Sequence, residues 1–170
     1  AGEKMVKIAG IFTDGEDGRA AARCGLGAVM GAKRVKAVAV HGQRELPVGD
    51  PAGLKEDLKP VIKRIQERTR VLGQFGTAGL VIPCEQLGDF PVRNWAWGKW
   101  EEGALKISGQ KMADELLTGR YRCAGCPVGC GRRISITKGP YRGVKGGGPE
   151  YETLGIFGGN CLIDDLEAIS

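Results

Sequence analysis

The chain has 170 residues, 42% hydrophobic and 26% charged, with a net charge of +5, which fits an ordinary folded domain and excludes a disordered or fibrous chain. No run reaches the roughly 18 consecutive apolar residues of a membrane-spanning helix, and Ala1-Gly2-Glu3-Lys4 lacks the apolar core of a secretion signal, so a cytoplasmic location is expected. Lys and Arg are scattered rather than gathered in one run or alternated with aromatics, which argues against a nucleic-acid surface.

In chain order, residues 6–12 and 35–40 are short β-branched runs and are predicted as strands. Between them lies Arg19-Ala-Ala-Ala-Arg23-Cys-Gly25-Leu-Gly27-Ala-Val-Met-Gly31, with two guanidiniums four apart among glycines. Such a segment suits close approach to phosphate. It is neither a dinucleotide fingerprint, because Met30 stands where the third glycine belongs, nor a P-loop, because the Gly-Lys-Ser/Thr ending is missing. A turn of small residues packed on the strand at 35–40 explains it equally well. The single histidine, His41, reads as a loop residue.

A helix is predicted from Asp50, its N-cap, through Leu54, Leu58, Val61, Ile62 and Ile65, with a kink at Pro60. Residues 76–87 are predicted to form one or two short helical turns. Residues 90–100, which hold Trp95, Trp97 and Trp100, are predicted as an ordered loop; the three rings pack on the core or insulate a cofactor. A second helix is expected over 108–117, capped by Ser108 and ended by Gly119. A β-like run over 131–136 and a basic Gly-rich loop to Gly148 follow. A last helix begins at Asp164 and stops at Ser170, so the chain is expected to be part of a longer polypeptide or to need a partner chain. Glycine, 29 of 170 residues against an average of roughly 7%, implies either a loop-rich fold or backbone wrapped round a large cofactor.

Chemistry concentrates in Cys123-Ala-Gly-Cys126-Pro-Val-Gly-Cys130. Two-residue spacing lets two thiolates converge on one metal, and the intervening Gly and Pro let the backbone curl round a cluster. Structural zinc wants a second pair of ligands, which this chain lacks. Disulfides suit neither a cytoplasmic chain nor this crowding, and the radical S-adenosylmethionine order is the reverse one. An iron–sulfur cluster is the main reading. A four-iron cluster takes four thiolates, and Cys24, Cys84 and Cys161 are candidates for the fourth, although each is expected rather to be a small buried hydrophobe.

These blocks, with Asn94-Trp95, Cys130-Gly-Arg132, Gly148-Pro-Glu-Tyr-Glu-Thr-Leu154 and Asp164-Asp-Leu-Glu-Ala-Ile169, occur in one order over nearly the whole chain. In that order the chain resembles the aldehyde:ferredoxin oxidoreductase family. The resemblance implies a tungsten (or molybdenum) bis-pterin centre beside a [4Fe-4S] cluster that passes electrons to ferredoxin or another electron-transfer subunit. It implies an α+β fold: residues 1–42 as the C-terminal end of a β-rich pterin-binding domain, and 43–170 as the start of a mainly helical, loop-rich, cluster-binding domain.

Arg19, Ala20, Ala22 and Arg23 would contact the pterin, with Ala22 standing for the family's usual Gly and Cys24 for its usual Gly or Ser. Cys123, Cys126 and Cys130 would be cluster ligands, the fourth lying outside this segment. Glu150 and Glu152 are the candidate catalytic carboxylates, although a surface or capping role is open to each. The implied reaction is oxidation of an aldehyde to a carboxylic acid. Within the family a low-potential reduction, such as dearomatisation of an aromatic acyl-CoA, is the alternative. From outside it, the alternatives are a stand-alone iron–sulfur electron-transfer protein and a zinc-stabilised interaction domain.

Overall fold

The computed structural model describes every residue except 14, 16, 17 and 45, and it divides into two compact units, Ala1–Leu54 and Lys55–Ser170. The class is α+β, as the sequence implied: a small β portion comes first and short helices dominate the rest.

In the first unit a 3-10 turn, Gly2–Lys4, precedes strand β1 (Ile11–Thr13) and strand β2 (Arg19–Ala21). The two strands are antiparallel, with Ile11 opposite Ala21 and Thr13 opposite Arg19. A second 3-10 turn, Arg23–Gly25, leads into helix α1 (Leu26–Ala32). This helix presses on the backbone of residues 2–10. Gly27 N–H donates to the Ala9 carbonyl at 2.9 Å, a Cβ on Gly27 would stand 2.6 Å from the Gly10 oxygen, and one on Gly31 would stand 2.0 Å from the Gly2 oxygen. Glycines four apart on one helix face therefore serve close backbone packing, and their partner is residues 2–10, not the run at 35–40.

Both predicted strands of this unit need correction. Of residues 6–12 only the end joins a ladder, because Met5 is left-handed (φ 52) and Ala9 N–H turns back to the Val6 carbonyl at 2.9 Å. Residues 35–40 form no strand, and Val38 and Val40 are 78% and 90% exposed. β-propensity measures fit to a pleated, half-covered surface, and this run has no neighbouring strand among the described residues.

Helix α2 (Pro51–Arg68) starts at the predicted cap: Asp50 Oδ1 accepts from Gly53 N–H at 2.9 Å. It continues through Pro60 as one helix, and none of its residues is buried. Helix α3 (Arg70–Phe75), a 3-10 turn (Thr77–Leu80) and helix α4 (Val81–Gln86) follow, then the expected loop, helix α5 (Glu101–Lys106) and helix α6 (Gly109–Glu115). Ser108 caps α6 as predicted, accepting from Lys111 N–H at 3.1 Å.

The helix predicted over 108–117 ends earlier, at Glu115, because residues from Leu117 are taken into a sheet. That sheet is antiparallel, in the order β3 (Leu117–Tyr121), β4 (Gly131–Ser135) and β5 (Lys145–Gly147). Strand β5 replaces the end of what was expected to be a loop. Helix α7 (Tyr151–Thr153) runs on into a π-helical turn, Leu154–Asn160, and helix α8 (Leu166–Ile169) starts just past the expected Asp164, capped by Asp165, which accepts from Ala168 N–H at 3.1 Å.

The core of this unit is the meeting point of α4, α5, α6, β4 and the π turn: Val81, Phe90, Ile107, Met112, Ile136 and Leu154 are fully buried. Phe90 and Tyr151 stack at a tilt, ring centroids 6.0 Å apart. Trp100 packs on this core while Trp95 and Trp97 are exposed. The core holds β4 and α6 rigid, and between β3 and β4 it presents the cysteine loop.

Candidate metal centre

Cys123, Cys126 and Cys130 all lie in the connection from β3 to β4. The pairing Tyr121 to Gly131 closes the ladder at the base of this loop. Gly125 and Gly129 are left-handed, with φ 70 and 64, and Cys126 N–H turns onto the Cys123 carbonyl at 3.0 Å. Glycine at these two points lets the loop double back between its cysteines without the strain an L side chain would carry there. Cys123 is exposed, while Cys126 and Cys130 are half-buried.

One side of the loop is seated on the end of α2 and on α3. Gln66 Nε2 donates to the Pro127 carbonyl at 3.5 Å, and Gly76, left-handed at φ 64, leaves space for the Cys130 carbonyl, which a Cβ would meet at 2.8 Å. Arg132, only 3% exposed, donates to the carbonyls of Gly73 at 3.0 Å and Gly129 at 2.6 Å, and also to that of Gln74. Arg120 Nη1 reaches the same Gly73 carbonyl at 2.9 Å. Burial above all, then the nearby Arg120, pulls the Arg132 guanidinium below its ordinary pKa, while Cys130 and Glu150 act in the opposite sense. Arg70, Arg120 and Arg122 line a hollow of about 360 Å³ walled by Pro127 and Val128 of the loop. The setting of the loop is cationic.

Among the described residues no three His, Cys, Asp or Glu side chains converge as a ready metal site, so the loop displays its thiols without drawing them together. The donor set nevertheless fits three of the four thiolates of an iron–sulfur cluster: one chemistry, one loop, glycines where the backbone must curl, and fixed positive charge alongside. None of the six cysteines is in a disulfide. Of the other three, only Cys84 packs on the core; Cys24 and Cys161 are exposed, which corrects the expectation that each is a buried small hydrophobe.

The two candidate carboxylates differ. Glu150 is half-buried and accepts from the Thr77 hydroxyl, whose oxygen in turn accepts from Tyr151 N–H at 2.9 Å. Glu152 is exposed on α7. Tyr151 between them has its phenol pushed well up, chiefly by burial and then by its hydrogen bond with Cys84. Glu150 thus belongs electrostatically with Arg132 and Cys130, and Glu152 does not.

Arg19 and Ala20 sit on β2, Ala22 and Arg23 at the turn before α1; Arg19 is half-buried and the other three exposed. None of the four lines the apolar hollow of about 420 Å³ beneath Phe12, Met30 and Val35 in the same unit. Cys24 is left-handed (φ 64), which accounts for the glycine usual there. His41 lies in the exposed stretch before α2. Sequence reasoning does not single out Arg132 and Thr77 as site residues, since Gly73 and Glu150 lie 59 and 73 positions from them; the local hint is four arginines, at 120, 122, 132 and 133, flanking the cysteines.

The family model for domains 2 and 3 of aldehyde ferredoxin oxidoreductase matches residues 53–170, and that for its N-terminal domain matches residues 1–42. The chain belongs to the aldehyde ferredoxin oxidoreductase family. It is similar to the tungsten-containing aldehyde ferredoxin oxidoreductases of Thermococcus kodakarensis, at 39% identity over 172 residues, and Pyrococcus furiosus, at 37% over 172. It is also similar to the WOR-like subunit of an aliphatic sulfonate oxidoreductase of Pyrococcus furiosus, at 32% over 171 residues. Each match covers 99% of this chain and 27% of the relative, so the chain spans about a quarter of the length of the curated relatives it matches. No helix among the described residues is long and apolar enough to cross a membrane.

Proposed function

We propose that this chain is the segment of a tungsten- or molybdenum-pterin oxidoreductase that supplies three thiolates of a [4Fe-4S] cluster, and that the whole enzyme oxidises aldehydes to carboxylic acids with ferredoxin as electron acceptor. The observation that carries this reading is the β3–β4 loop: three cysteines on one hairpin, curled at Gly125 and Gly129 and seated on α3 by Arg132. Residues 1–42 are then the end of a pterin-binding domain, with Arg19 and Arg23 directed at the pterin's anionic groups and Ala20 and Ala22 giving close backbone approach. Residues 43–170 begin the cluster-binding domain. A cytoplasmic location suits thiols that must stay reduced.

The overall reaction, aldehyde plus water to carboxylic acid with two electrons and two protons released, needs a two-electron centre and a one-electron relay, which the metal-pterin and the cluster supply when bound. This chain's own contribution is electrostatic and protonic. Glu150 is the better base of the two carboxylates: the Thr77 hydroxyl donates to Oε2, fixing the carboxylate and leaving Oε1 to take a proton. Glu152, exposed on the helix that follows, has no such support.

Metal analysis and a visible spectrum of the anaerobically purified full-length protein test the reading. Iron together with tungsten or molybdenum is expected; zinc without iron would overturn the reading of the cysteines, and iron alone would favour a plain electron carrier. Cys123→Ser, Cys126→Ser and Cys130→Ser are each expected to lose iron, whereas Cys24→Ser, Cys84→Ser and Cys161→Ser keep it. With metal content unchanged, Glu150→Gln is expected to lower kcat by about 10²-fold or more and Glu152→Gln to leave it near the parent value. The opposite ranking would reassign the base.

A further inference from the structure

Arg132 is the most deeply buried cation of the described chain, and its surroundings are unusual for one. It forms no ion pair among the described residues; three backbone carbonyls, of Gly73, Gln74 and Gly129, take its Nη hydrogens instead. Its Nε–H has no hydrogen-bond partner among the described residues. A buried guanidinium hydrogen-bonded only to backbone dipoles, with Glu150 acting on it through space and one donor left over, gains from a further anion placed beside it. The acceptors explain what the arrangement holds: two belong to the end of α3, and the third is the residue before Cys130. Arg132 itself is the second residue of β4, two residues after Cys130, and Gly76 leaves room for the Cys130 carbonyl beside α3.

We propose that Arg132 is a positioning residue for the cluster assigned above, pinning the last cysteine of the loop to α3 and supplying the fixed positive charge that raises the cluster's reduction potential. The inference rests on the cluster reading. A cluster ligated by thiolates is anionic and gains a further negative charge on reduction, so a cation that cannot move or be screened stabilises the reduced state more than the oxidised one. Exposed Arg120 shares the Gly73 carbonyl, but water screens it.

The test is an EPR-monitored redox titration of the full-length, cluster-loaded protein. Arg132→Gln keeps a donor for the carbonyls and removes the charge; Arg132→Lys keeps the charge and removes the fork. The Gln variant is expected to show about a tenfold fall in the reduction equilibrium, about 59 mV for a one-electron couple, with the Lys variant close to the parent. Loss of iron from the Gln variant alone, with Lys holding the cluster at the parent potential, also supports the proposal. A Gln variant with full iron and an unmoved potential overturns it. So does loss of iron from both variants, which would leave Arg132 a purely structural role, and so does an equal shift from Arg120→Gln, which would make the effect one of general surface charge. Absence of iron from the parent protein would instead defeat the cluster reading itself.

Discussion

Four residues outside the cysteine loop carry measurable consequences of local chemistry. Cys24 holds a left-handed backbone (φ 64), which costs an L-residue about 1–2 kcal/mol relative to the right-handed region. Replacing it with glycine trades that strain against extra unfolded-state entropy, so Cys24→Gly is expected to stabilise the first unit by up to about 1 kcal/mol, read from denaturant melts. Ser108 is buried, its Oγ accepting from Lys111 N–H at 3.1 Å and donating to the Leu105 carbonyl at 3.0 Å. Ser108→Ala is expected to cost about 1–2 kcal/mol. Asp164 is held below its ordinary pKa of 3.8 by the hydrogen bond from Lys106, and Lys106 above its ordinary 10.5 first by Asp164 and then by Glu102. The Asp164 contribution is therefore complete above pH 3.8 and lost as the pH falls through its lower folded value; that of Lys106 is complete below 10.5 and lost as the pH rises through its higher one. Both groups are well exposed, so the signature is a displaced NMR titration midpoint and not a change in melting. At this scale the sequence was legible wherever the chemistry was local: the caps at Asp50 and Ser108 and the cysteine spacing could all be read directly. Arg132 could not, since its carbonyl partners are invisible in a string of side chains.

Elements were legible in proportion to how much they depend on themselves. Helices α2 and α6 announced their caps, and β4 its alternation. The runs at 6–12 and 35–40 looked like strands because valine and isoleucine favour a half-covered pleat, yet a strand exists only with a neighbour, and residues 35–40 have none described. Strand β5 was hidden for the opposite reason: Lys145-Gly146-Gly147 has no strand propensity and is paired only because β4 offers an edge. The glycine-rich segment of α1 reads in sequence as either a phosphate-approach loop or close packing, and Gly27 and Gly31 do pack on the backbone of residues 2–10. Gly31→Ala would drive a methyl group to 2.0 Å from the Gly2 oxygen, a clash with backbone that no rotamer relieves. It is expected to destabilise the first unit by about 1–3 kcal/mol, seen as faster amide exchange in α1, while exchange in β3 and β4 stays unchanged.

Across the whole chain, the stretch from residue 34 to Asp50 has neither helix nor strand among its described residues, and those residues are exposed. Limited trypsin digestion of the 170-residue chain is expected to cut first at Arg34, Lys36 or Arg44, ahead of the basic residues in β3 and β4; early cleavage at Arg120 or Arg133 would contradict the sheet. The cysteine loop carries one more consequence, concerning when it can take shape. Everything that seats it, from Gly73 and Gln74 to the β3 ladder, precedes Arg132 in the chain or adjoins it. As the polypeptide leaves the ribosome N-terminus first, the anchor points are already out when β4 emerges, and closing the hairpin needs only a short, fast search. The hairpin that carries the three thiols can thus form during synthesis, as soon as β4 has emerged.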